Sequence, residues 1–143
     1  MNPIVRNILA VIAGVIVGGA VNMGIIMISG MIIAPPPGAD MTTMEGVKAA
    51  MPMMEPRHFI MPFLAHALGT LAGSFVAAWL AASRRLVLAI VIALWNMLGG
   101  AMAVMMLPGP MWFNVFDLVG AYIPSGFLGG RIGMMIKKDQ PPA

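Results

Sequence analysis

Cysteine is absent from this chain and charge is scarce: Lys, Arg, Asp and Glu together make up 9% of its 143 residues. Without thiols there are no disulfides, thiolate metal sites, iron–sulfur clusters or cysteine nucleophiles. The shortage of charge says more. A soluble domain carries roughly a quarter charged residues, and those side chains do much to keep water-facing surfaces apart. Here 60% of the chain is hydrophobic and mean hydropathy is +0.94, so lipid is expected to be the outer solvent. A formal net charge of +3 gives no basis for a nucleic-acid partner. Recognisable catalytic arrangements are missing as well. The apolar stretches hold no pair of carboxylates and no serine or threonine with an obvious base. No phosphate-cradling glycine loop opens a helix, and there is no H-E-x-x-H. The expectation is a protein that is not an enzyme and has no cofactor.

What is present is long apolar sequence. Ile4 to Ile33 is interrupted only by Arg6, Asn7, Asn22 and Ser29 and ends at Pro35-Pro36-Pro37-Gly38. It exceeds both the roughly 20 residues of a membrane span and the roughly 7 to 15 of a secretory-signal core. Phe59 to Ala82, Leu86 to Leu107 and Trp112 to Ile136 follow, separated by Ser83-Arg84-Arg85 and Pro108-Gly109-Pro110. Such short separators are tight turns between antiparallel neighbours. The predicted fold is therefore an all-α membrane protein, a four-transmembrane-helix bundle forming one integral domain over residues 1–143.

Lysine and arginine resist translocation and so report orientation. With four spans, Arg6, Arg84, Arg85, Arg131, Lys137 and Lys138 share one side, while Lys48 and Arg57 on the other are outweighed by Asp40, Glu45, Glu55 and Asp117. This predicts an inner-membrane protein with both termini cytoplasmic, and argues against a dual-topology dimer. In the long outer loop, Thr42-Thr43-Met44-Glu45 has the spacing of a capping box. A short amphipathic helix is predicted from about Thr43 to Met51, stopped by Pro52 and lying at the membrane surface.

Small residues mark the packing faces. Along span two they recur every fourth position, as Ala65, Gly69, Gly73, Ala77 and Ala81. Gly14 with Gly18, and Gly126 with Gly130, repeat that spacing. Because lipid offers no hydrophobic force between helices, close backbone approach must hold them. Span two is expected to pack within the chain; the other faces suit either intrachain contact or a homo-oligomer. Gly18-Gly19-Ala20 and Gly99-Gly100-Ala101 recur in spans one and three, and Gly69 to Gly73 aligns with Gly126 to Gly130. A duplicated helical hairpin, giving a parallel two-plus-two repeat, would account for both matches; the abundance of glycine in membrane helices would too.

Ionisable groups within spans are costly, so each is a functional candidate. His66 and Asp117 qualify, and their positions in spans two and four put them at similar depth, where a hydrogen bond would satisfy both. Thr70 and Ser74 continue a stripe from His66 at four-residue spacing. Asn22 and Asn96 lie nearer mid-membrane, and Asn114, Tyr122 and Ser125 add polar groups to span four. Together they could line a narrow path from the outside to mid-membrane; the plainer reading is interhelical hydrogen bonds of about 1 kcal/mol or less each. Pro124 frees a carbonyl near Gly120. Trp79, Trp112 and Phe113 fit an aromatic belt. Methionines number 17, several of them in the outer loop near His58 and His66. Thioethers and imidazoles suit Cu(I), but most of the others are scattered through the spans as flexible filler, and no metal site is expected.

Gly69-Thr70-Leu71 followed by Gly73-Ser74-Phe75 resembles a helix of the fluoride channels, and length and span count invite comparison with those channels and with small multidrug transporters. The asparagine-bearing residues that join the two pieces in the channels are missing here, as is the intramembrane glutamate of the transporters. The pattern also resembles many four-helix bacterial membrane proteins, which implies no particular activity. Two functions fit the residues. One is a non-enzymatic subunit or assembly protein whose small-residue faces bind a second copy or another membrane protein. The other is a small homo-oligomeric transporter or channel using His66 and Asp117. Lipid or quinone binding in a cleft is a third possibility.

Overall fold

The computed structural model describes residues 1–138; residues 139–143, and with them the C-terminal end, lie outside the described residues. Six α-helices, and no strand among the described residues, make up the fold: α1 (Pro3–Ile32), α2 (Met44–Ala50), α3 (Ile60–Leu80), α4 (Arg85–Met106), α5 (Met111–Gly120) and α6 (Ile123–Lys138). Pro3–Ile32, Pro56–Leu80 and Arg85–Met106 are long and apolar enough to cross a membrane. The protein is therefore a helical, membrane-embedded one.

The fourth apolar stretch is not one helix. It is divided into α5, of 10 residues, and α6, of 16, at Ala121–Tyr122. Pro124 has no amide hydrogen, so the carbonyl of Gly120 loses its helical partner. The turn is bridged by Ala121 N donating to Asp117 O and Gly126 N donating to Tyr122 O, at 2.9 and 2.8 Å. Its counterpart in the suggested repeat, α3, runs unbroken.

Local chemistry sets the ends of the helices. Asn2 caps α1 by accepting from the Ile4 amide at 2.8 Å, and Pro3 occupies the first turn, where no amide partner is needed. α1 stops ahead of the three prolines with Ile33 extended. The two polar residues at the foot of α1 close the far end of α3. Arg6 Nε donates to the carbonyl of Leu80 at 2.8 Å, and Asn7 Oδ1 accepts from the amides of Ala82 and Ser83. This latch braces Arg84, whose φ of 49° is left-handed and unusual for a side-chain-bearing residue.

The loop helix starts one residue later than the Thr42 capping box predicts. Thr43 is the cap, accepting from the Gly46 amide at 3.0 Å, because Asp40 has taken Thr42. Asp40 Oδ1 accepts from both the amide and the hydroxyl of Thr42, at 2.8 and 2.6 Å. These bonds, the hydroxyl's first, hold the Asp40 carboxyl below the ordinary carboxylate range, so the turn they form is complete at neutral pH and is lost only as pH falls through that lowered value. Beyond Ala50 the chain tightens into a 3-10 turn that includes Pro52. His58 then ties the loop down: its Nδ1 accepts from the Glu55 amide at 2.9 Å and its Nε2 donates to the carbonyl of Ala34 at 3.1 Å. With both ring nitrogens engaged, His58 has no free lone pair for a metal ion.

α3 is the central helix, in contact with α1, α4, α5 and α6. A Cβ on Gly73 would lie 2.6 Å from the carbonyl oxygen of Gly14, and one on Gly18 would lie 2.8 Å from that of Gly69. Backbone therefore meets backbone across α1 and α3. On the opposite flank, Gly133 of α6 lies against the carbonyl of Phe75, Gly126 against Ala93 of α4, and Gly130 against Ala89. Ala65 and Ala77 are fully buried. The small-residue faces at Gly14, Gly18, Gly69, Gly73, Gly126 and Gly130 are thus filled from within the chain.

Replacing Gly73 by alanine is expected to push α1 and α3 apart at a cost of about 1–3 kcal/mol, read as a lower unfolding midpoint in detergent. Gly24, also on α1 but with open space around it, is the control, and Gly24→Ala is expected to leave the midpoint unchanged or raise it slightly, since alanine is the better helix former.

Candidate functional site

At the end of the bundle that carries the long loop, aromatic packing fixes α5 against α3. Phe63 stacks on Phe116 at 4.8 Å, and Phe59 meets Phe113 at 4.7 Å and Trp112 at 5.6 Å. One residue beyond Phe116, Asp117 turns inward and is only 3% exposed, opposite His66 at 24%. The His66 Nδ1 lies 2.9 and 2.8 Å from the two carboxylate oxygens of Asp117. A carboxylate only accepts, so Nδ1 is the donor in this contact and Nε2 is turned away from it. None of the described residues hydrogen-bonds to Nε2.

The third member is Tyr122, at the break between α5 and α6. Its hydroxyl donates to Asp117 Oδ2 at 3.2 Å, and its ring stacks on His66 at 5.5 Å. Tyr122 is 1% exposed and fits only because position 100 is glycine: a Cβ there would overlap the tyrosine hydroxyl. Sequence reading named Tyr122 but not its dependence on Gly100. The paired Gly99-Gly100 was the available signal, and it pointed equally well to a repeat.

Two cavities meet at this cluster. One, of about 590 Å³, lies under the loop and is lined by methionines of the loop, by His58 and by Asn114, with His66 and Asp117 in its wall. The other, of about 400 Å³, lies deeper between α1 and α4, lined by Gly18, Asn22, Thr70, Trp95, Asn96 and Tyr122 among others, again with His66 in its wall. Asp117 faces the first, Tyr122 the second, and His66 both. The deeper cavity ends where α1, α3 and α4 close on Gly14, Gly73 and Ile92.

The remaining polar residues divide. Asn96 Nδ2 donates to Thr70 Oγ1 at 3.1 Å, joining α4 to α3 beside the deeper cavity. Asn22 Oδ1 is buried with no hydrogen-bond partner. Ser74 turns away from both cavities and donates to the carbonyl of Ala89 at 2.9 Å, so it joins α3 to α4 rather than extending the polar lining. Asn114 bonds locally to the carbonyl of Gly109 at 3.2 Å, and Ser125 lines neither cavity. Trp95, which sequence reading passed over, stands at the mouth of the deeper cavity and is 59% exposed.

A double-mutant cycle with Thr70→Val and Asn96→Leu, followed by unfolding in detergent, is expected to give a coupling of about 0.5–1 kcal/mol. A coupling of zero would mean that the two side chains do not meet. Compared with protein-family models, curated proteins and solved structures, the chain gives no match in any of the three.

Proposed function

We propose that the chain is a small four-span inner-membrane transporter, with its termini cytoplasmic, that admits a small solute or proton from the loop side to mid-membrane and gates its passage at His66, Asp117 and Tyr122. The observation that carries this reading is the position of that cluster: its members form the wall between two cavities, and His66 borders both. A hydrogen-bonded acid–imidazole pair at the junction of two cavities can take up and release a proton as the ring changes partner. Structural hydrogen bonding alone needs no cavity on either side.

The basic residues support the orientation. Arg6 bonds to the end of α3, so it lies at the same end of the bundle as Arg84 and Arg85, the end expected on the cytoplasmic side. α5 and α6 together supply the fourth crossing, and their junction at Ala121–Tyr122 supplies a hinge, since a helix freed of one backbone bond bends more readily. Closing the cavities on the loop side while opening α1 from α3 would complete a transport cycle.

A second reading, a subunit of a larger membrane complex or a homo-oligomer, is favoured by Gly24, which has open space around it and lines neither cavity. The glycines with filled surroundings cannot serve that purpose.

Proton movement in liposomes separates the two. With the full chain reconstituted around an internal pH dye, acid pulses over about pH 5 to 8, the range in which histidine titrates, are expected to acidify the lumen faster than in empty vesicles. Asp117→Asn and His66→Ala are expected to reduce the rate to that of empty vesicles, and Ser74→Ala to leave it intact. Wild-type vesicles that pass neither protons nor small inorganic ions would overturn the transport reading.

A further inference from the structure

The deeper cavity is open sideways as well as upward. Its rim between α1 and α4 carries Trp95, Leu98 and Met102, at 59%, 56% and 55% exposure, so the opening faces the hydrocarbon. Its floor is polar, and several polar groups there lack partners. Asn22 Oδ1 is buried and unpaired. The His66 Nε2 has no partner among the described residues, because Asp117 engages Nδ1 alone. The Trp95 indole N–H, half-way along α4, has no acceptor among the described residues. Tryptophan normally sits at the membrane surface, where its N–H reaches water or headgroups. In hydrocarbon, each unmet group costs free energy that only a partner relieves.

We propose that this groove binds the hydroxyl-bearing head of a lipid-soluble molecule, a long-chain phenol or alcohol, which enters between α1 and α4 with its tail left in the bilayer. A hydroxyl is the small group that both donates its one proton, as the buried Asn22 Oδ1 requires, and accepts, as the Trp95 N–H requires. The volume of about 400 Å³ is within the range of small-molecule sites, about 300–1,000 Å³, and the apolar rim suits an alkyl chain. A hydrated ion has no use for such a rim. The inference rests on His66, Asp117 and Tyr122 being the head of a solute pathway, and it names the class of solute.

The test uses the full chain in lipid nanodiscs with Trp79→Phe and Trp112→Phe, which leaves Trp95 as the only tryptophan. Para-nonylphenol is titrated against its methyl ether, which has the same shape without the donor. The phenol is expected to change Trp95 emission saturably, beyond its effect on empty nanodiscs with free tryptophan. The ether is expected to bind about tenfold more weakly or worse, the loss set by one hydrogen bond. Asn22→Leu is expected to weaken phenol binding by a similar factor. Should that variant fold poorly, a rise in the unfolding midpoint of the unmutated protein with phenol and not with ether gives the same answer. Equal responses to phenol and ether, or none that saturates, would overturn the inference. Proton flux without phenol binding would refute only the solute class; phenol binding without proton flux would confirm the site and refute the proton gate at His66.

Discussion

Everything in this structure depends on how closely α3 can approach its neighbours. In lipid, helices gain nothing by hiding apolar surface from one another, so association rests on dispersion and hydrogen bonds at short range. Gly69 and Gly73 let the backbone of α3 touch that of α1 at Gly14 and Gly18, while Gly133 of α6 fits against Phe75 and Gly126 and Gly130 against α4. Two flanks of α3 are therefore fixed by backbone contact, and its rotation is fixed with them. His66 and Thr70 then face α5, α6 and α4 with no freedom to turn elsewhere, which is why the strongly polar cluster inside the bundle forms where it does.

The same constraint shapes the empty space. α1 and α4 meet near Gly14 and Ile92, but further toward the loop, where α3 still holds α1 at Gly18 and Asn22 and α4 at Asn96, the two part from each other, and the gap between them is the deeper cavity. Tight packing at one end and open space at the other come from one arrangement of small residues. The break at Ala121–Tyr122 completes it: Pro124 removes a backbone bond, Tyr122 turns into the bundle, and Gly100 leaves room for its hydroxyl.

Much of this was legible in the sequence, and the limits are instructive. Hydropathy marked the three long helices because the cost of exposed backbone in hydrocarbon permits little else. Counting residues from the turns brought His66 level with Asp117 because rise per residue is fixed. What sequence could not supply was azimuth. Ser74 lies on the same four-residue stripe as His66 and Thr70, yet its hydroxyl ends on the carbonyl of Ala89, since α4 crosses α3 at that height. The break in the fourth apolar stretch was foreshadowed by Pro124, but spacing could not show that Asp40 would take Thr42 and pass the cap to Thr43. Each outcome was decided by a neighbour distant in sequence, or by one local competitor that outbid another.

A cavity entered from the loop end that stops above Gly73 should admit a water-soluble reagent to its own walls and no further. The absence of cysteine allows a direct test: single cysteines at Asn22, Asn96 and Ala77, each exposed in nanodiscs to a charged, water-soluble thiol reagent. Asn22→Cys and Asn96→Cys are expected to react and Ala77→Cys to stay unlabelled. Unreactive cysteines at both asparagine positions, or equal labelling at all three, would contradict it.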